Sequence, residues 1–82
     1  MSDRDRAERI IEALGGKANI TALDSCITRL RLVLRDPGAV DEKRLKALGA
    51  IGVIRLASSV QVIMGTASEL IESEMKAVMQ PK

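Results

Sequence analysis

The chain has 82 residues and contains no Phe, Trp, Tyr or His; its 13 basic and 11 acidic side chains leave a formal net charge of +2. This length predicts one small domain with little material for a deep, enclosed active site. Missing aromatics argue against single-stranded nucleic-acid binding by base stacking, and the balanced charge does not indicate a polyanion partner. Without histidine, the chain itself provides no Cys-His or Ser-His catalytic pair and no zinc site of the common Cys/His kind.

The single cysteine, Cys26, excludes an internal disulfide and is typical of a reducing compartment. The first ten residues, MSDRDRAERI, are charged and lack the apolar core of a signal peptide. No apolar run in the sequence is long enough to cross a bilayer. We therefore expect a soluble, cytoplasmic domain that spans residues 1–82.

Three segments have helical periodicity together with end signals. Residues 5–14 place apolar side chains on one face and are followed by two glycines. Asp41 precedes residues 42–48 as a predicted N-cap. A third helix is predicted after Thr66, because the segment 66–69 has the spacing of a capping box.

The clearest strand is residues 27–35, in which apolar and basic side chains alternate. One side carries Thr28, Leu30, Leu32 and Leu34, and the other carries Arg29, Arg31, Val33 and Arg35. This alternation is typical of a sheet with one buried and one exposed face. We expect the open face to display Arg29, Arg31 and Gln61.

Three further strands complete the predicted sheet. Residues 19–25 form a weaker strand, and residues 52–57 and 60–64 predict a hairpin joined at Ser58-Ser59. That turn lacks the Asn-Gly or Asp-Gly signature. Because both strand pairs have short connections, antiparallel pairing is favoured. The sequence thus predicts an α+β fold: a four-stranded antiparallel sheet with three helices packed on one face.

The most informative residues surround Cys26, which lies at the predicted turn between the first two strands. Arg29 and Arg31 follow on one strand face, about 7 Å apart by strand geometry. Cationic neighbours favour the reactive thiolate form of a cysteine, and a guanidinium donates two parallel hydrogen bonds to a phosphoryl group. The hydroxyl of Thr28 and the turn amides can complete an anion site. The residues alone therefore indicate a phosphate-handling thiolate.

Other interpretations of the same residues stay open at this point. A lone cysteine is often a small buried side chain, and arginines that alternate with leucines often form only a solvated strand face. Cysteine phosphatases and sulfur transferases also place an arginine after a cysteine, but residues 26–31 hold no glycine and alternate like a strand. A third interpretation is a docking or regulatory module that uses Arg29, Arg31 and Gln61, with nucleic-acid binding as a weaker form of it.

The segment 23–31, LDSCITRLR, resembles the phosphorylation motif of the enzyme IIB component of the phosphoenolpyruvate-dependent sugar phosphotransferase system. The likeness is greatest to the glucose and N-acetylglucosamine branch. Residues 46–53 and 60–65 match the same family in order and spacing, and the resemblance extends from about residue 6 to residue 79, which we expect to be the ordered core.

This resemblance implies a four-stranded antiparallel sheet with helices on one face, in agreement with the pattern of the residues. It also implies that Cys26 accepts a phosphoryl group from a phosphohistidine of the IIA component. Cys26 would then pass this group to a sugar of the glucose or N-acetylglucosamine type that is bound by the membrane IIC component, without a metal or cofactor. Where Ser58-Ser59 lie, many family members carry glycine.

The resemblance also implies roles for the residues around the cysteine. Arg29 and Arg31 match the arginines that support transfer to the sugar. Asp24 and Thr28 match the shell around the phosphocysteine, and Gln61 matches a glutamine near the partner surface. We expect the isolated domain to be monomeric and to act at the cytoplasmic face of the cell membrane.

Overall fold

The computed structural model describes residues 2–80, so residues 1, 81 and 82 of the predicted domain lie outside the described residues. In chain order the elements are α1 Asp3–Ala13, β1 Ile20–Ser25, β2 Arg29–Leu34, α2 Glu42–Ala47, β3 Gly52–Leu56, β4 Ser59–Ile63 and α3 Ser68–Met79. Short 3-10 turns precede β1, α2 and α3. The order of helices and strands is the one that the sequence predicts.

The four strands form one antiparallel sheet in the order β1-β2-β4-β3. β2 and β4 are therefore central, and β1 and β3 are the edges. On one face, α3 packs against β1 and β2, and α1 packs against α3 and α2. The predicted four-stranded antiparallel sheet with three helices is confirmed.

The core is built around the inward side of β2. Leu30, Leu32 and Leu34 are only 0–2% exposed, whereas Arg31 and Val33 between them are exposed. Burying each of these leucines contributes roughly 1.5–3 kcal/mol. The largest side chains that complete the core come from the three helices, from the C-cap of α1 and from β4, namely Ile10, Leu14, Leu45, Val60, Val62, Ile71 and Met75.

The edge strand β1 contains a bulge. Its register against β2 shifts at Thr21 and Ala22, so that two residues of β1 lie opposite one residue of β2. Beyond the bulge, Leu23 and Ser25 pair with inward-facing residues of β2, and Asp24 faces the open side. The bulge interrupts the alternation of β1, which explains why this strand is the weaker one in the sequence.

The predicted start of α2 is confirmed, whereas the predicted start of α3 is not. Asp41 is the N-cap of α2, because its side chain accepts a hydrogen bond from the backbone N–H of Arg44 at 3.1 Å. The predicted capping box at Thr66 is wrong. Thr66 lies inside the 3-10 turn Gly65–Ala67, and α3 begins directly after this turn, at Ser68, without a side-chain cap.

The β3–β4 turn lies one residue earlier than predicted. Ser59 is already paired with Leu56, so the two turn residues are Ala57 and Ser58 rather than Ser58 and Ser59. A two-residue turn of this kind requires a left-handed backbone, and Ala57 has a φ of 50°. This conformation is sterically unfavourable for alanine and causes no steric strain for glycine.

Replacing Ala57 by Gly should therefore raise the free energy of unfolding by about 0.5–1 kcal/mol, because it removes strain at the turn. Denaturant unfolding followed by circular dichroism measures the change. Ser58→Gly is the matched control, because Ser58 does not have a positive φ. Equal effects of the two substitutions would contradict the assignment of strain to Ala57.

Candidate functional site

Cys26 is the first residue of the short turn between β1 and β2, and backbone hydrogen bonds fix this turn at both ends. The backbone N–H of Cys26 donates to the carbonyl of Arg29 at 3.0 Å. The carbonyl of Thr28 accepts from Met64 and Gly65 at 3.1 and 2.9 Å. Gly65 has a φ of 70°, a conformation that favours glycine. The half-buried Cys26 thus lies on a turn that is tied to β2 and to the segment after β4.

One predicted position differs from the structure. Thr28 was expected on the buried side of β2, but β2 begins at Arg29, and Thr28 is exposed in the turn. The carbonyl of Thr28 bonds to the amides after β4 instead of to β1, which ends the strand ladder before this residue. Thr28 and its neighbour Ile27 therefore flank Cys26 at the surface.

Asp24, Arg31 and Gln61 lie side by side on the open face, on β1, β2 and β4. Arg29, two residues before Arg31 on the same strand, donates from Nη1 to Oε1 of Gln61 at 2.7 Å. Arg31 Nη2 lies 3.6 Å from Asp24 Oδ2. Each arginine is therefore oriented by one polar neighbour on an adjoining strand.

The two arginines differ in electrostatic environment. Gln61 is neutral, so Arg29 keeps its full positive charge, whereas the Asp24 carboxylate partly offsets that of Arg31. The pair of Arg31 and Asp24 is weak, because their side chains are 51% and 71% exposed. An approaching anion can therefore draw Arg31 away from Asp24 at small cost.

Sequence reasoning missed a second set of contacts behind the turn. Ser25 Oγ donates to Oε1 of Glu72 on α3 at 2.8 Å, and Lys76 Nζ lies 2.9 Å from Oε2 of the same carboxylate. The hydrogen bond from Lys76, and then that from Ser25, lower the pKa of Glu72. Since Ser25 and Glu72 are 47 residues apart, no local pattern indicates the contact.

The surface near these residues is shallow. A hollow of about 250 Å³ on the open face is lined in part by Asp24, Arg31 and Gln61 but does not include Cys26. A larger groove of about 710 Å³ runs between α1 and α2 and contains none of the predicted site residues. Within residues 2–80, no group of three or more His, Cys, Asp or Glu side chains is arranged to hold a metal ion.

Comparison with known proteins identifies the family. A family model described as phosphotransferase system, EIIB matches residues 8–41. The N-acetylglucosamine-specific EIIB component of the PTS system of Streptomyces coelicolor is 43% identical over 74 residues, which cover 90% of this chain and 96% of that protein. The chain belongs to the EIIB family of the phosphotransferase system. The family that the motif around Cys26 predicted is thereby confirmed.

Two further relatives of this EIIB chain are longer proteins from Staphylococcus carnosus. The glucoside-specific EIICBA component is 47% identical over 73 residues, and the glucose-specific EIICBA component is 45% identical over 74 residues. These matches cover 89% and 90% of the EIIB chain but only 10% and 11% of the relatives. The chain thus spans about a tenth of the length of both curated proteins.

A solved structure supports the same fold. One domain of the PTS system IIabc component from Clostridium difficile superposes with a TM-score of 0.74 at 26% sequence identity. The match covers 92% of the EIIB chain and 76% of that chain. Among residues 2–80, no helix combines the length and apolar character needed to cross a membrane.

The contact between Glu72 and Lys76 predicts a pH dependence of stability. The pKa of Glu72 is lowered from its ordinary value of 4.5. The ionised carboxylate therefore stabilises the fold fully above pH 4.5, and this stabilisation is lost as the pH falls through the folded-state pKa. Desolvation of Glu72 by burial, and to a smaller extent the Asp24 carboxylate, oppose this lowering of the pKa without reversing it. Unfolding in urea between pH 3 and pH 7 should show a steeper loss of stability for the wild type than for Glu72→Gln. Parallel curves would contradict the prediction.

Proposed function

We propose that this EIIB chain is a phosphoryl carrier in which Cys26 takes a phosphoryl group from a IIA component and gives it to a sugar bound by a membrane IIC component. We further propose that residues 1–82 act as one domain at the cytoplasmic face of the membrane. The observation that carries the proposal is the position of Cys26, on an anchored strand turn beside Arg29 and Arg31, in a chain of the EIIB family.

The chemistry consists of two displacements at phosphorus. The Cys26 thiolate attacks the phosphorus of a phosphohistidine on the donor; the S–P bond forms, the P–N bond breaks, and the imidazole keeps its electron pair. A sugar hydroxyl then attacks the phosphocysteine; the O–P bond forms, the S–P bond breaks, and the thiolate returns. The hydroxyl proton passes to a base on the IIC component. Arg29 and Arg31 stabilise the negative charge on the phosphoryl oxygens during the second step.

The surroundings of Cys26 suit this work in different ways. The Thr28 hydroxyl lies in the same exposed turn and can donate to a phosphoryl oxygen. Gln61 orients Arg29, and Asp24 holds Arg31 until an anion arrives. We therefore propose binding roles for Asp24, Thr28 and Gln61, and transfer roles for the two arginines.

The relatives support the proposal for the partners and the sugar. The glucose-specific and glucoside-specific relatives are EIICBA components, and the relative of similar length is N-acetylglucosamine-specific. We propose IIA and IIC partners and a sugar of the glucose or N-acetylglucosamine type. Ile27 in the Cys26 turn is 70% exposed, and Ile51, whose side chain lies close to Gly65, the residue bonded to Thr28, is 73% exposed. Such apolar side chains suit docking of a protein surface.

The alternative of a cysteine phosphatase or sulfur transferase has no support in the geometry. Those enzymes need a loop that wraps an anion between the cysteine and the arginine. Here the turn closes at once, with Cys26 bonded to the Arg29 carbonyl, and Arg31 already lies within β2. Hydrolysis of an aryl phosphate by the isolated chain would revive this alternative.

Incubation with phosphoenolpyruvate and the general phosphotransferase proteins, including a IIA component, should add one phosphoryl group to the chain. Intact-mass spectrometry measures the gain, and Cys26→Ala and Cys26→Ser should abolish it, because they remove the thiolate. No gain by the wild type with several phosphorylated IIA donors would instead favour a docking or regulatory module.

Arg29→Lys and Arg31→Lys should slow sugar phosphorylation about 10–100-fold, because lysine cannot reproduce the two parallel hydrogen bonds of a guanidinium. Loading of Cys26 from IIA should change less. Transfer from the isolated phosphoprotein to sugar in membranes that contain IIC separates the two steps. Arg35→Lys is the matched control, since Arg35 binds the Ala18 carbonyl beyond the far end of β2. Unchanged sugar transfer in both site variants would refute their proposed role.

A further inference from the structure

Ser25, the last residue of β1, connects the turn of Cys26 to the helix layer. Its side of the strand faces the helices, and its Oγ donates to Oε1 of Glu72 at 2.8 Å. Its backbone N–H donates to Asp24 Oδ1 at 2.8 Å. The residue directly before Cys26 is therefore fixed by both its backbone and its side chain.

Glu72 is well placed to act as the fixed end of this contact. Its side chain is 17% exposed, and its two carboxylate oxygens have separate partners, Ser25 on Oε1 and Lys76 on Oε2. Lys76 lies one helical turn further along α3 and offsets the carboxylate charge. Glu72 can thus hold the turn of a phosphate carrier without placing an uncompensated negative charge behind it.

The two ends of the Cys26 turn are held by different parts of the fold. At its far end, the Thr28 carbonyl accepts two amides from the segment after β4. At its near end, the only side-chain contact to the helix layer among the described hydrogen bonds of residues 25–28 is that of Ser25 with Glu72. Loss of the Ser25 contact leaves the far anchor and the pairing of Ser25 with Leu30 intact, but removes the hydrogen bond that ties the residue before the thiolate to the helix layer.

We propose that Glu72 is a positioning residue for phosphoryl transfer. Glu72 acts through its hydrogen bond with Ser25 and fixes the direction of the Cys26 thiolate. The inference rests on the proposed carrier function of Cys26. In-line displacement at phosphorus requires close alignment of the attacking atom, and a displacement of about 1 Å can reduce a rate by up to about 100-fold. A hydrogen bond that anchors the adjacent residue to a packed helix restricts such displacement.

The test compares single-turnover loading of Cys26 from phosphorylated IIA in Ser25→Ala, Glu72→Leu and the double variant. At saturating IIA, each single variant should lower the rate constant about tenfold, while the IIA concentration at half-maximal rate stays unchanged. The double variant should be no slower than either single variant, because both changes remove the same contact. Glu72→Gln should recover most of the rate, since its amide oxygen still accepts from Ser25.

Ser59→Ala is the matched control. This substitution also removes one hydroxyl hydrogen bond, which Ser59 donates to the Leu56 carbonyl. Ser59 lies opposite Val33, at the end of β2 that is away from Cys26. All rates are measured well below the melting temperature of each variant, and the melting temperatures are recorded. Variants that melt earlier but load at the wild-type rate would show a purely structural contact and overturn the inference. A wild type that does not load would instead overturn the carrier function itself.

Discussion

The structure depends above all on the two faces of β2. Leu30, Leu32 and Leu34 must point to the helices, because they supply the centre of the core. Since successive side chains of a strand point to opposite faces, Arg29 and Arg31 are then obliged to lie on the open face. The burial that stabilises the domain and the charge arrangement beside Cys26 are thus two results of one alternation. A shift of β2 by one residue would destroy both together.

The open face gives the domain an accessible site instead of a pocket. The proposed carrier function requires that Cys26 be reached from outside twice, first by the donor protein and then by the acceptor, so an enclosing cavity would hinder it. The small size of the chain is compatible with this requirement. Precision comes from anchoring: the carbonyl of Thr28, the hydroxyl of Ser25 and the amide of Gln61 each fix one part of the surroundings of Cys26.

The sequence was sufficient where a periodic pattern or a local motif carried the information. It predicted the element order, the faces of β2, the N-cap Asp41 and the position of Cys26 in a turn. The sequence was not sufficient where non-local contacts determine the backbone conformation. A 3-10 turn forms where the Thr66 capping box was predicted. Thr28 lies outside β2, because its carbonyl accepts hydrogen bonds from amides that are more than 30 residues away in the chain.

The electrostatic detail of the site was equally beyond the sequence. The motif predicts the same role for both arginines, yet Arg29 is paired with the neutral amide of Gln61 and Arg31 with the carboxylate of Asp24. This difference arises from register, since Asp24 and Gln61 flank Arg31 on opposite strands. The bulge at Thr21 and Ala22 sets that register for the end of β1. Deletion of either bulge residue would therefore make β1 a regular strand and still leave Asp24 opposite Arg31 on the open face.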